Sequence, residues 1–232
     1  VRGALASGAG SVEACLPASV AEQLWQLAPE VVLKAGLSSD HQGALVWGKA
    51  LEGRALERLD AVLLGPGLGR VEGCWQHWAE PLLGFSGLLV LDADGLNQLA
   101  ACEGGWRWLL KRSGPTWLTP HATEFARLFP DCCQGSPLDQ AAAAADCSGA
   151  VVLLKGAHTL IASPCGEMRQ LTGTDRSVAR TGLGDLLAGH SAGWGARCLA
   201  ATQNAGVEDL AASALLHALA AKQCERGSGA LA

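Results

Sequence analysis

Gly87-Leu88-Leu89-Val90-Leu91 runs without a polar side chain straight into Asp92-Ala93-Asp94. Five apolar residues are too few for a buried helix, and the absence of alternation means both faces of the strand are covered. Strands of that kind belong to largely parallel sheets flanked by helices. The pattern recurs along the chain. Ala61–Leu64 leads into Gly65-Pro66-Gly67-Leu68-Gly69, Thr116–Leu118 into Thr119-Pro120-His121, and Val151–Leu154 into Lys155-Gly156. In parallel sheets ligands bind beyond the carboxyl ends of the strands, so glycine, acid, histidine and lysine are expected to converge on one rim.

Working outward, Ser11–Leu16, Val31–Lys34 and Met168–Thr172 read as further strands, with Thr159–Ala162 as a hairpin partner. Helical patterns cover Ala18–Leu27, Ala50–Leu59, Leu96–Cys102, Trp106–Arg112, Thr123–Phe129, Gln140–Cys147, Gly182–Leu199 and Val207–Arg226. The alternation predicts an α/β fold, a three-layer α/β/α sandwich with a mainly parallel central sheet. No repeat or linker divides residues 1–232, so one domain is expected. Trp75, Trp78, Trp106 and Trp108 lie at helical spacings and read as packing residues rather than a stacking platform for bases.

The second informative stretch is Arg180-Thr181-Gly182-Leu183-Gly184-Asp185, opening the apolar run Leu186-Leu187-Ala188-Gly189. A glycine-rich turn into a helix presents free N–H groups and the positive end of the dipole, a natural anion site. Asp185 would repel a bound phosphate, so it suits a base acting on a substrate hydroxyl, or else a plain helix cap. Taken singly, the other motifs have structural readings too. Gly65–Gly69 can be a tight turn, Asp92 and Asp94 can cap the next helix, with Asp94 as the N-cap before Leu96, Glu124 can cap the helix after His121, and Asn97 can be solvated. Lys155, at the end of a buried strand, needs solvent, an acid or a phosphate.

Composition excludes several classes. A net charge of −5 and a pI near 5.7 argue against a general nucleic-acid surface. No apolar run has transmembrane length and no signal peptide is visible, so no membrane partner is expected. Nine cysteines without a CxxC pair read as reduced thiols, which points to the cytoplasm and to no thiolate metal site.

In order, GPGLG, LDADGLN, LTPHATEF, LLKGAHT and GLGD resemble the motifs of the ADP/ATP-dependent NAD(P)H-hydrate dehydratases of the ribokinase-like superfamily, over nearly the whole chain. The resemblance implies repair of a damaged cofactor: ADP or ATP drives dehydration of the S epimer of hydrated NADH or NADPH. By similarity Asp185 is the catalytic base. Gly67, His121 and Asp185 contact the hydrated cofactor. Lys155, Gly156, Ala157, His158, Thr159, Gly182 and Gly184 contact the nucleotide. Asp92, Asp94 and Asn97 line the rim. Mg²⁺ is implied with the nucleotide, though no dedicated metal cage is readable.

The resemblance also implies a homo-oligomer and leaves room for an upstream NAD(P)H-hydrate epimerase domain. The family's opening strand and its glycine turn are expected before Val1; without them a sheet edge and the pocket would stand open. Where the family has NPGMATGGSGD, this chain has Asp175, Arg176, Arg180 and Leu183, and PHPGE has become PHATE. The two arginines can pair with phosphate or with Asp175. Two other readings remain: a vitamin-precursor kinase of the hydroxyethylthiazole type, and a non-catalytic nucleotide-binding relic.

Overall fold

Side-chain parity along the strands sorts the core into two layers. The computed structural model describes residues 1–37, 56–69, 75–172 and 181–228. Six strands form one sheet in chain order: β3 (Ala61–Leu64), β4 (Leu88–Leu91), β5 (Thr116–Leu118), β6 (Val151–Leu154), β7 (Thr159–Ala162) and β8 (Met168–Leu171). The first four are mutually parallel, while β7 is antiparallel to both β6 and β8. Leu89, Leu91, Leu118, Val152 and Leu154 face one way. They meet α3 (Trp75–Leu83), α4 (Ala93–Ala101), α5 (Ala122–Leu128) and α6 (Pro137–Ser148). Leu88, Val90, Trp117, Leu153 and Ile161 face the other way, against α7 (Leu183–Thr202) and α8 (Val207–Ser228). The result is the expected α/β/α sandwich with a mostly parallel sheet.

Helix α7 lies over the centre of the sheet because it has glycine where it touches. A Cβ on Gly195 would run into Leu88 and the ring of Trp117, and Trp117 in turn donates its Nε1–H to the carbonyl of Ala205 at 3.1 Å. On its outer side α7 receives α1 (Arg2–Ala6), with Gly3 set against the backbone of Leu186 and His190.

A smaller parallel pair, β1 (Glu13–Pro17) and β2 (Val32–Leu37), packs with α2 (Ala18–Leu27) around Ala14, Leu24, Ala28 and Val31. Among the described residues it forms its own two-stranded sheet, separate from the six-stranded one. Two of the expected helical stretches wind as 3-10 helix: Gly105–Lys111, and Leu56–Arg58 within the stretch expected at Ala50–Leu59. A 3-10 run rises about 2.0 Å per residue, so Gly105–Lys111 covers more of the distance from α4 to β5 than α-helix would. It ends at Arg112, whose guanidinium donates to the carbonyls of Leu82 and Gly87 and to Thr116 Oγ1. Burial pulls that guanidinium down to about 10. The tryptophans pack as read, Trp75 and Trp108 meeting edge to face at 4.9 Å. The described cysteines are free thiols, and burial beside Cys132 pushes Cys147 up to about 12.

Candidate active site

The four strand ends expected to converge do so through backbone contacts first. The N–H of Asp92 bonds the carbonyl of Leu64 at 3.2 Å, and the N–H of Lys155 bonds that of Pro120 at 2.8 Å, extending the sheet past its strands. His121 and Lys155 face each other as an isolated parallel bridge. At Gly65 the backbone has φ +148°, and a Cβ there would collide with the carbonyl of Asp92. Only glycine lets the Gly65–Gly69 turn lie directly against the end of β4.

That turn is tethered to α4. The N–H of Gly69 donates to Asp94 Oδ2 at 3.0 Å, and Gln98 Nε2 donates to the carbonyl of Gly69 at 3.0 Å. Asp94 therefore holds the turn, and the expectation that it caps the helix at Leu96 is corrected: the N-cap position of α4 belongs to Asp92. Gly67, at the turn's tip, is exposed with φ +74°, and nothing lies within 4 Å of a Cβ built on it. Gln98 was not readable as a site residue, since a glutamine inside a helix carries no signal of its partner. Asn97 accepts a bond from Arg127 at 2.9 Å, linking α4 to α5.

His121 starts α5 as half of a capping box. Its Nδ1 accepts from the N–H groups of Thr123 (3.1 Å) and Glu124 (3.3 Å), while Glu124 Oε2 accepts from the N–H of His121 at 2.9 Å. An accepting Nδ1 leaves the proton on Nε2, which faces Glu124 Oε1 at 3.2 Å. The ring is thus held in one tautomer, with 52% of the side chain exposed at the rim.

Asp92 is built differently. It has the extended backbone of an N-cap, yet its side chain makes no cap bond. Ala93 follows at φ +47°, an unusual conformation for alanine. The carboxylate, 1% exposed, instead takes the ammonium of Lys155 at 2.7 Å. The Lys155 side chain is 22% exposed, and its Nζ lies 3.6 Å from where a Cβ on Gly184 would stand. The lysine head therefore sits at the first turn of α7. Gly156, Ala157 and His158 continue from it as an exposed loop into the half-buried Thr159 at the start of β7.

Helix α7 opens at Gly182, whose φ of +86° makes the turn and whose missing side chain leaves the cap unmade. The first bond inside the helix runs from the N–H of Leu186 to the carbonyl of Gly182 at 3.1 Å. The N–H groups of Leu183, Gly184 and Asp185 precede it, with no partner inside the helix. Asp185 is exposed in this turn. Behind it, His190 Nδ1 meets Ser213 Oγ at 2.8 Å, and Ser213 meets Ser191 at 3.0 Å. Burial holds His190 below the ordinary imidazole value. It does the same to His217, where His190 adds to the effect and a backbone hydrogen bond at Leu183 opposes it. Asp175, Arg176 and Arg180 lie outside the described residues.

Chemically, this helix start has the donors and the one ammonium that an anion would need, with an exposed carboxylate one residue beyond. Among the described residues no group of three or more histidine, cysteine or acidic side chains could hold a metal ion. No helix among them is long and apolar enough to cross a membrane. The family model for NAD(P)H-hydrate dehydratase matches residues 1–231. The chain belongs to that family. It is 32% identical to the ADP-dependent (S)-NAD(P)H-hydrate dehydratase of Xanthomonas campestris pv. campestris, over 97% of this chain and 74% of the relative. It is 44% identical to the bifunctional NAD(P)H-hydrate repair enzyme Nnr of Synechocystis sp., over 81% of this chain but only 34% of the relative. The chain thus spans about a third of the length of the bifunctional relatives it matches. Its fold superposes on the ADP/ATP-dependent NAD(P)H-hydrate dehydratase of Bacillus subtilis, co-crystallized with ATP and Mg²⁺, with a TM-score of 0.72. That match has 25% identity and covers 94% of this chain and 72% of the family member.

Proposed function

We propose that this domain uses ADP or ATP to dehydrate the S epimer of hydrated NADH or NADPH. The observation that carries the reading is the Lys155 ammonium at Gly184, beside the first-turn N–H groups of α7 that have no partner within the helix, and one residue from Asp185. In the proposed reaction the Asp185 carboxylate takes the proton of the ring hydroxyl. The hydroxyl oxygen forms a bond to the terminal phosphorus of the nucleotide as the P–O bond to AMP or ADP breaks. The new C–O–P ester then loses phosphate, which carries away the C–O electron pair, while the neighbouring carbon loses a proton and the ring double bond returns. Lys155, Gly182 and Gly184 would hold the phosphoryl group, and Gly156 through Thr159 would border the nucleotide. Gly67 and the rigid His121 would border the nicotinamide.

Mg²⁺ fits this site as a companion of the nucleotide, keeping phosphate oxygens and waters as ligands. Asp92 is already paired with Lys155, so no protein carboxylate is assigned to it. The reading extends to a cytoplasmic homo-oligomer, and leaves room for an epimerase domain upstream, as in the bifunctional relatives. The test is phosphate release from ADP and from ATP, each with and without hydrated NADH or NADPH. Release that requires the hydrated cofactor and restores its absorbance supports the dehydratase. Consumption of nucleotide that leaves the phosphoryl group as an ester on a hydroxyethylthiazole-like alcohol supports the kinase, and nucleotide binding without turnover supports the relic.

A further inference from the structure

We infer that Asp92 is the positioning residue of the phosphate site, acting by holding the Lys155 ammonium in front of the first turn of α7. The inference rests on the nucleotide reading above and goes beyond it in naming what sets the cation's place. An ammonium does not settle by itself at a helix start, because the dipole there is positive. A carboxylate paired with it offsets that repulsion. Asp92 is that carboxylate: 1% exposed, 2.7 Å from Lys155 Nζ, on the strand end adjacent to β5 and one strand further from Lys155.

The turn that holds Asp92 is shaped for this use. An aspartate at an N-cap ordinarily accepts a bond from its own helix. Here the side chain makes none, the next residue stands at φ +47°, and the carboxylate crosses the rim to the lysine. A phosphate arriving at α7 would meet the N–H groups of the first turn and an ammonium already in position. Because Asp92 and Lys155 neutralise one another, the pair adds little long-range attraction. What it contributes is a fixed place for the cation, which matters most when charge moves during phosphoryl transfer.

The experiment measures the ADP dissociation constant by calorimetry with Mg²⁺, and kcat and both KM values for phosphate release with hydrated NADH. The variants are Asp92→Asn, Lys155→Met, the double variant and Lys155→Arg. Lys155→Met is expected to weaken ADP by about tenfold or more, since it removes the charge itself. Asp92→Asn is expected to keep ADP affinity within about threefold while kcat falls about tenfold. In the Lys155→Met background the same change should alter kcat by less than about twofold, because Asp92 acts only through the lysine.

Lys155→Arg keeps the ion pair and the fold but moves the charge, and is expected to lower kcat about tenfold with ADP affinity within about threefold. It decides the matter should Asp92→Asn not fold. Wild-type kcat in Asp92→Asn or Lys155→Arg overturns the inference. So does an equal loss from Asp92→Asn in both backgrounds, or a loss of ADP affinity matching that of Lys155→Met. Both KM values rising together with a fall in Tm would mark a structural role and overturn it as well. The calorimetric arm reads the Lys155 charge without turnover, so a chain whose Lys155→Met variant loses ADP affinity but which never restores the cofactor contradicts the dehydratase reading alone.

Discussion

Strands β4 and β5 are neighbours, both fully buried, and each passes into a helix through a polar residue with extended backbone. The two turns then diverge. His121 closes its own helix, with Nδ1 on two backbone N–H groups and Glu124 answering from the first turn. Asp92 leaves its helix uncapped and reaches Lys155. The third turn at the rim, Gly182, offers no side chain at all and leaves the first N–H groups of α7 free of partners within the helix. A completed cap marks a residue fixed in place, a border of the site. A forgone cap marks where the site takes its charge or its open donors. Helix α6 repeats the completed form, with Ser136 and Asp139 making a full capping box on an exposed surface.

That contrast can be broken by mutation, starting with the backbone under it. Gly65→Ala drives a Cβ into the carbonyl of Asp92, so it should cost about 4 kcal/mol or more in denaturant unfolding. A loss below about 1 kcal/mol would mean the turn can move away from β4. Asp92→Ala strands a mostly buried ammonium and should cost about 3 kcal/mol, well above the cost of losing a cap. His121→Ala removes only a cap, and about 1–2 kcal/mol is expected by the same method. Equal losses at the two turns would erase the distinction drawn between them. Ala93→Gly relieves the positive φ beside Asp92 and should stabilise by about 1 kcal/mol, visible as a raised denaturation midpoint. A destabilised Ala93→Gly would show that the strain there is not real.

The sheet and its rim were legible because continuous apolar strands have one stable setting, and polar residues at their ends can only face the rim. Thr116–Leu118, Ala61–Leu64 and Val151–Leu154 stand where the sequence puts them. What escaped reading depends on partners distant in sequence. Gln98 looks like any helical glutamine until Gly69, 29 residues earlier, meets it. Arg112 looks like a surface charge until the carbonyls of Leu82 and Gly87 surround it. Aspartate two residues before Leu96 reads as a cap, yet Asp92, directly at the end of β4, stands at the N-cap position. The separate pairing of β1 with β2 is a topological fact that strand composition does not encode.

The central claim is that the rim converges on a carboxylate that activates a hydroxyl for phosphoryl transfer. The most direct test follows absorbance of the dihydronicotinamide band after adding hydrated NADH, Mg²⁺ and ADP or ATP to the wild-type chain and to Asp185→Asn. The account predicts recovery of the band with wild type and a rate lower by about 10²–10⁴-fold in the variant, at unchanged stability. Recovery at equal rates in both proteins would contradict it.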